Sequence, residues 1–232
     1  MKTYMFKALF FGLGLLGLGV AAVYHNPPQQ LPEIVNNTAA IKVISVTPGQ
    51  EGHELLLKNV STKNITGYSV GVENAYRISD LTVGEHMISP GEEITIQLPQ
   101  IKNPSGAQNV TRGLPTIRFV IFDDDSSEGD DIGAQELRDI RSGRREQLNR
   151  IVVLLNAAAR SLDVTQLESQ LDALPIEGLE TDRSFNVARG RLAAKQDVQL
   201  ELSRLDKNNL ERELLKLSER NSRLVRRLNN PR

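Results

Sequence analysis

The residue types best suited to chemistry stand together in the acidic segment 123–131, which directly follows an apolar run at 117–122. Side-chain oxygens recur at alternate positions of this segment, on Asp123, Asp125, Ser127 and Asp131. Calcium is held by roughly six to eight oxygens, carboxylates among them, on flexible loops of this kind. The spacing therefore makes these residues candidate ligands of a calcium-dependent binding module.

The same segment has a second interpretation, in which its carboxylates cap a helix. Gly129 comes one position late for a helix–loop–helix calcium loop, and Ala134 stands where that loop has its closing glutamate. A carboxylate just before a helix accepts hydrogen bonds from the free N–H groups of the first turn. Asp130 or Asp131 is placed to do so, and the segment would then connect a β half to a helical half.

A second motif, Gly67-Tyr68-Ser69-Val70-Gly71, fits the G-x-S-x-G pattern of serine hydrolases. That chemistry needs a strand before the serine, a helix after it, and an acid and a histidine downstream. Here β-type residues continue past Ser69, and His86 is the only histidine downstream. We expect a chance match within a strand, with a Ser69-dependent hydrolase as the alternative.

Composition excludes several classes of function. The chain of 232 residues has no cysteine, which excludes disulfides, thiolate metal sites, cysteine catalysis and a lipoprotein anchor. Its net charge of -1 gives no overall attraction to nucleic acid. Aromatic residues make up only 4%, which disfavours large aromatic ligand pockets. Because no phosphate-binding loop or histidine metal motif occurs either, we predict a protein that is not an enzyme and has no resident cofactor.

The amino terminus predicts export. Lys2 and Lys7 precede an uninterrupted stretch of apolar residues and glycine at 8–24, which is typical of a signal peptide. Cleavage after Ala22 would release the protein, whereas an uncleaved segment would remain as a signal anchor near the lower limit of about 17 residues for a membrane span. Both alternatives place the rest of the chain outside the cytoplasm, after a proline-rich linker at 25–37.

Residues 38–125 predict a β domain. Short runs rich in Ile, Val, Leu and Thr are separated by Gly, Pro and Asn, and they lie at 41–46, 53–60, 65–73, 76–78, 86–88, 94–98 and 117–122. Strands of this length with turn residues between them are typical of an antiparallel sandwich.

The remainder predicts helices. Short helices are expected within 126–178, at 132–143, 144–162 and 164–174, and one long helix is expected within 179–232. The end of that helix repeats apolar residues at heptad spacing, with one Asn in the seam: Leu210, Leu214, Leu217, Asn221, Leu224 and Leu228. Such a seam predicts self-association as a coiled coil. The equal alternative is packing of this helix onto the helix at 144–162 of the same chain.

Two stretches carry a resemblance. Residues 55–61 and 65–70 resemble the "strand, Lys-Asn-x-Ser, turn, strand" hairpin of small immunoglobulin-like sandwiches in exported bacterial proteins, and 122–130 is similar to the end of such domains. The resemblance implies an α+β fold with an export or anchor helix, an Ig-like β-sandwich and a C-terminal helical region. It implies no activity and no catalytic residues.

Together these features predict a non-enzymatic protein of the bacterial envelope, periplasmic, secreted or anchored by one helix, that works as an interaction or assembly module. The expected partners are a second copy through the C-terminal helix and an unidentified envelope protein or polymer. The membrane is a further partner if residues 8–24 are uncleaved. Nucleic acid is not an expected partner.

Overall fold

The structure is a computed structural model, and it describes residues 33–49, 52–72, 75–84, 86–99, 114–176 and 182–229. These residues form an α+β fold, as the sequence predicts, with the strands first and the helices after them. The predicted export or anchor segment at 1–24 lies outside the described residues. No helix in the described part of the chain is both long and apolar enough to cross a membrane.

The described strands form two sheets. The larger sheet contains β1 (Val35–Asn36), β4 (Ile65–Val72), β5 (Ala75–Asp80), β7 (Pro115–Phe122) and β8 (Ser127–Gly129). Its order is β1-β7-β4-β5, with β8 also paired to β7; β1 runs parallel to β7 and the other pairs are antiparallel. The smaller sheet is antiparallel, in the order β2 (Ile41–Gly49), β3 (Gly52–Asn59) and β6 (Glu93–Pro99).

Alternation of side chains places one hydrophobic core between the sheets. Leu55 and Leu57 of β3 face Val70 of β4 and Ile117 of β7, and all four side chains are buried. The predicted strands are therefore confirmed in place, except that residues 86–88 form only one isolated bridge, from Ile88 to Ile65. Two boundaries also move: β1 lies inside the predicted linker, and β8 lies beyond residue 125.

The first helix, α1 (Asp131–Ser161), is continuous where two helices were expected. The predicted boundary falls at Gly143, and glycine disfavours helix by about 1 kcal/mol relative to alanine. In the structure Gly143 is a buried position where another helix makes backbone contact, so packing outweighs propensity. The C-cap residue of α1, Leu162, adopts the left-handed conformation. Helix α2 (Val164–Asp172) follows, with Asp163 as its N-cap.

The single long helix predicted for 179–232 is also wrong. The chain forms α3 (Asp182–Leu202), a short 3-10 turn (Lys207–Asn209) and α4 (Leu210–Asn229). Between them the carboxylate of Asp206 accepts from the Asn208 N–H at 2.9 Å and caps the new turn. This break lets the chain reverse, so that α4 packs along α1.

Polar pairs fix the directions of these helices. Helix α3 runs the same way as α1, and the pairs that show it are Asp139–Arg183 and Glu146–Arg191. Helix α4 runs the opposite way, and the pairs that show it are Arg145–Asn229 and Asn156–Ser218. A second hydrophobic core lies between these helices and includes Ile151, Leu155, Ala194 and Leu217.

Candidate functional site at the junction of sheets and helices

The acidic segment forms the corner between the sheets and α1, and its carboxylates bind separate partners. Asp123 accepts from the side-chain amide of Asn64 at 2.8 Å. Asp124 lies 2.6 Å from the ammonium group of Lys63, which together with Ser126 holds the pKa of Asp124 well below its usual range. The carboxylates of this segment therefore point toward different neighbours.

Glu128 and Asp130 tie the segment to the rest of the protein. One oxygen of Glu128 accepts from the N–H groups of Ala39 and Ala40, both at 3.0 Å. Asp130 is the N-cap of α1 and accepts from two N–H groups of its first turn. Its other oxygen pairs with Arg118 of β7. These contacts confirm the helix-capping interpretation for Asp130.

Burial alone would raise the pKa of Asp130. The N–H of Gly133 and the positive charge of Arg118 outweigh that effect, so the pKa of Asp130 lies below its ordinary value. The ionised carboxylate is thus the form that the folded protein holds at neutral pH, as a helix N-cap requires.

The contacts of the described residues do not bring the candidate calcium ligands together. Asp123 faces Asn64, Ser127 accepts from Arg138 at 3.1 Å, and Asp131 is exposed in the first turn of α1. Asp125 has a positive φ of 65° and lies 3.5 Å from Arg138. The described residues contain no group of three or more His, Cys, Asp or Glu suited to a metal ion. Calcium binding stays a prediction.

Ser69 lies in the middle of β4, between Phe119 of β7 and Ile78 of β5. Its hydroxyl is buried and has no hydrogen-bond partner among the residues that the structure describes. The strand continues to Val72, so the backbone makes no strand-to-helix turn at the serine. His86 pairs instead with Glu92, at 2.8 Å. A nucleophile elbow has no counterpart in this geometry.

The heptad residues of α4 face the same chain. Leu214, Leu217, Asn221 and Leu224 are buried, and Leu210 and Leu228 pack partly buried against the same helical core. The side chain of Asn221 donates to the carbonyl of Leu217 at 2.8 Å, within its own helix. Intramolecular packing is thus the alternative that the structure adopts, and self-association through this seam stays a prediction.

A buried arginine joins α1 to the larger sheet. The guanidinium of Arg141 donates to Asp80 at 2.9 Å and to the carbonyl of Thr66 at 2.7 Å. Asp80 is held in turn by the hydroxyl of Thr82 at 2.6 Å. Leu137 packs one turn earlier, directly over Gly67. Sheet and helix are therefore fixed to each other by buried charge as well as by apolar contact.

Beside this junction lies a groove of about 620 Å³ that we call the junction groove. Its apolar side chains come from three elements: Tyr76 of β5 (40% exposed), Ile132 of α1 (77%) and Phe185 of α3 (48%). The guanidinium of Arg118 lies 3.9 Å from the ring centre of Tyr76 and orients it. Sequence reasoning missed this site; its one signal was Ile132, an apolar residue off the buried stripe of α1.

Comparison of the chain with protein-family models, curated proteins and solved structures finds no match. The function is therefore argued from the residues of this chain alone. The junction groove is the candidate interaction surface, because three large apolar side chains from separate elements meet there in contact with solvent.

Proposed function

We propose that this protein is a non-enzymatic interaction module of the bacterial envelope, exported or anchored by its amino terminus. The support for its location is the apolar stretch 8–24 behind Lys2 and Lys7. In this proposal the two sheets are a small immunoglobulin-like β-sandwich, and the helical region fixes the surface that the module presents.

The junction groove carries the proposal. Aromatic and large aliphatic side chains are enriched at the centres of protein interfaces, where burial removes them from water. Tyr76, Ile132 and Phe185 each leave a large share of their surface in solvent, although Leu137 of α1 and Val198 of α3 are buried. Burial of such side chains by a partner contributes roughly 1.5–3 kcal/mol each.

Strand β5 indicates what kind of partner fits. Among the described strands it is the last one of the larger sheet on its side, and no described strand pairs with its outer backbone groups, which could pair with another extended segment. Tyr76 points to the groove face of the sheet, whereas Arg77, paired with Val70 in the ladder, points to the opposite face. Arg77 has no ion-pair partner among the described residues.

The occupant is therefore an extended segment of another envelope protein that adds a strand beside β5. Side chains alternate across a strand, so one face of this segment would be apolar and would enter the groove. The other face would carry an acidic residue opposite Arg77, because like charges across a strand pair are unfavourable and opposite charges are favourable.

Site-specific photo-crosslinking in the source bacterium tests the proposal. A photoreactive amino acid replaces Ile132 in the groove or, as the matched control, Val153, which is 67% exposed on the same helix and outside the groove. We expect a discrete adduct with another envelope protein from position 132 and none from position 153. Equal adducts at both positions, or none at position 132, contradict the proposed interface.

Location has its own test. A tag after Arg232 should be digested by protease added to cells whose outer barrier is opened but whose cytoplasmic membrane is intact. Protection of the tag under these conditions contradicts export. The mass of the purified chain then distinguishes cleavage after Ala22 from an uncleaved anchor.

A further inference from the structure

A second concave site lies away from the junction groove, where α1, the end of α4 and the turn after β5 meet. We call this space of about 200 Å³ the arginine cleft. Four guanidinium groups and two hydroxyls line it, with a single carboxylate among its lining residues: Arg138, Arg141, Arg145, Arg227, Thr82, Ser142 and Asp125.

Positive charge exceeds negative charge in the arginine cleft. Arg141 is neutralised by the buried carboxylate of Asp80. Arg138 lies 3.5 Å from Asp125, whose carboxylate is largely in solvent. Arg145 donates to the side-chain oxygen of Asn229 at 3.2 Å, a neutral acceptor, and makes no ion pair with any described residue. Arg145 is therefore a cation that the two carboxylates, each close to another arginine, do not neutralise.

The donors also surround the space from different elements. Arg145 and Ser142 approach from α1, and Arg227 approaches from α4. The side-chain hydroxyl of Ser142 has no hydrogen-bond partner among the described residues, so it is free to donate into the cleft. Arginine forks match the oxygens of carboxylates and phosphates, and several forks that converge from two helices match a tetrahedral anion better than a planar one.

We propose that the arginine cleft binds a phosphate group. Arg145 would supply the charge-assisted hydrogen bonds and Ser142 a neutral one, and the other arginines of the lining would add to the positive field. Asp125 would oppose binding, because its negative charge lies at the same cleft. The phosphate comes either from a free phosphate or monoester or from the phosphodiester headgroup of an anionic lipid or polymer. The site shares no lining residue with the junction groove, and neither proposal requires the other.

Calorimetric titration of the purified full chain with inorganic phosphate at low ionic strength tests the proposal. We expect Arg145→Gln to weaken binding at least tenfold, which is about 1.4 kcal/mol. Asp125→Asn should strengthen binding, and asparagine tolerates the positive φ of that position. The matched control is Arg160→Gln on the same helix, whose guanidinium donates to the carbonyl of Asn156 outside the cleft; its affinity should equal that of the parent chain.

Further ligands identify the source of the phosphate. Tighter binding of glycerophosphoglycerol, the soluble headgroup of an anionic lipid, than of inorganic phosphate assigns the site to phosphodiesters, and the reverse order assigns it to free phosphate or monoesters. Acetate should bind far more weakly than either. The proposal is overturned if phosphate gives no heat with the folded chain, if acetate binds equally well, or if the substitutions at Arg145 and Arg160 have the same effect.

Discussion

The crossing of α1 and α3 depends on two glycines that touch the opposite backbone. A Cβ atom at Gly143 would lie 1.9 Å from the carbonyl oxygen of Val187, and one at Gly190 would lie 1.9 Å from the carbonyl oxygen of Ile140. Both obstacles are main chain in the middle of a helix, so no side-chain rotation relieves them. An alanine at either position therefore requires the helices to separate.

Two effects of Gly143→Ala oppose each other. Alanine favours helix over glycine by about 1 kcal/mol, which would stabilise the protein. Against this, a carbon atom needs roughly 1.5 Å more space than the crossing offers, and forced expansion of a packed interface typically costs about 1–3 kcal/mol or more. Because the shift would be shared by the whole length of α3, including buried Ala194 and Val198, we expect the clash to win. The net loss is about 2 kcal/mol.

Urea unfolding followed by helical circular dichroism measures this effect. A loss of about 2 kcal/mol corresponds to a melting temperature lower by roughly 4–8 °C for a chain of this size. Gly190→Ala should cost a similar amount. Gln196→Ala, at an exposed position of α3, is the control for helix propensity alone and should leave stability unchanged or slightly raised. If Gly143→Ala is neutral or stabilising, the close crossing is wrong.

Two further changes test the corner and the last helix. Since the pKa of Asp130 is lowered in the folded state, its ionised form stabilises the fold above the ordinary pKa of about 3.9 and that contribution is lost as the pH falls. Asp130→Asn should therefore reduce the unfolding free energy more at pH 7 than at pH 2, and a difference independent of pH contradicts this. Leu217→Ala should cost about 2–4 kcal/mol at every protein concentration, because Leu217 is buried within one chain; a loss that varies with concentration would indicate a dimer seam instead.

The strands were predictable because their signal is local. In β6, apolar residues alternate with polar ones, β3 and β7 contain short apolar runs, and turn residues mark the ends. The N-cap at Asp130 was predictable for the same reason, since it depends only on the residues that follow it. For each of these elements, the residues that determine the structure lie within about ten positions of one another.

The errors arose where the deciding contact lies far along the chain. From the sequence alone, Gly143 indicates a helix break. The contact that explains the glycine is with the backbone of Val187, which lies 44 positions later in the chain. The end of α3 contains neither glycine nor proline, so the N-cap residue Asp206 was the one local indication that the helix ends there. Apolar residues at helical spacing on both sides of Asp206 favoured a continuous helix instead. The junction groove was missed because Tyr76 and Phe185 belong to different halves of the chain.

The acidic segment, a candidate ligand site by its sequence, contacts residues that belong to or support both candidate sites. Glu128 holds the entry to β2 and Asp130 holds Arg118, the residue that stacks on Tyr76 in the junction groove. Asp125, at the other side of the segment, reaches Arg138 in the arginine cleft. Asp130 thus reaches the junction groove through Arg118, and Asp125 itself lines the arginine cleft, so a change in this turn should alter both surfaces together. The described contacts of these acids position neighbouring residues, and the corner they form sets the arrangement of the two surfaces.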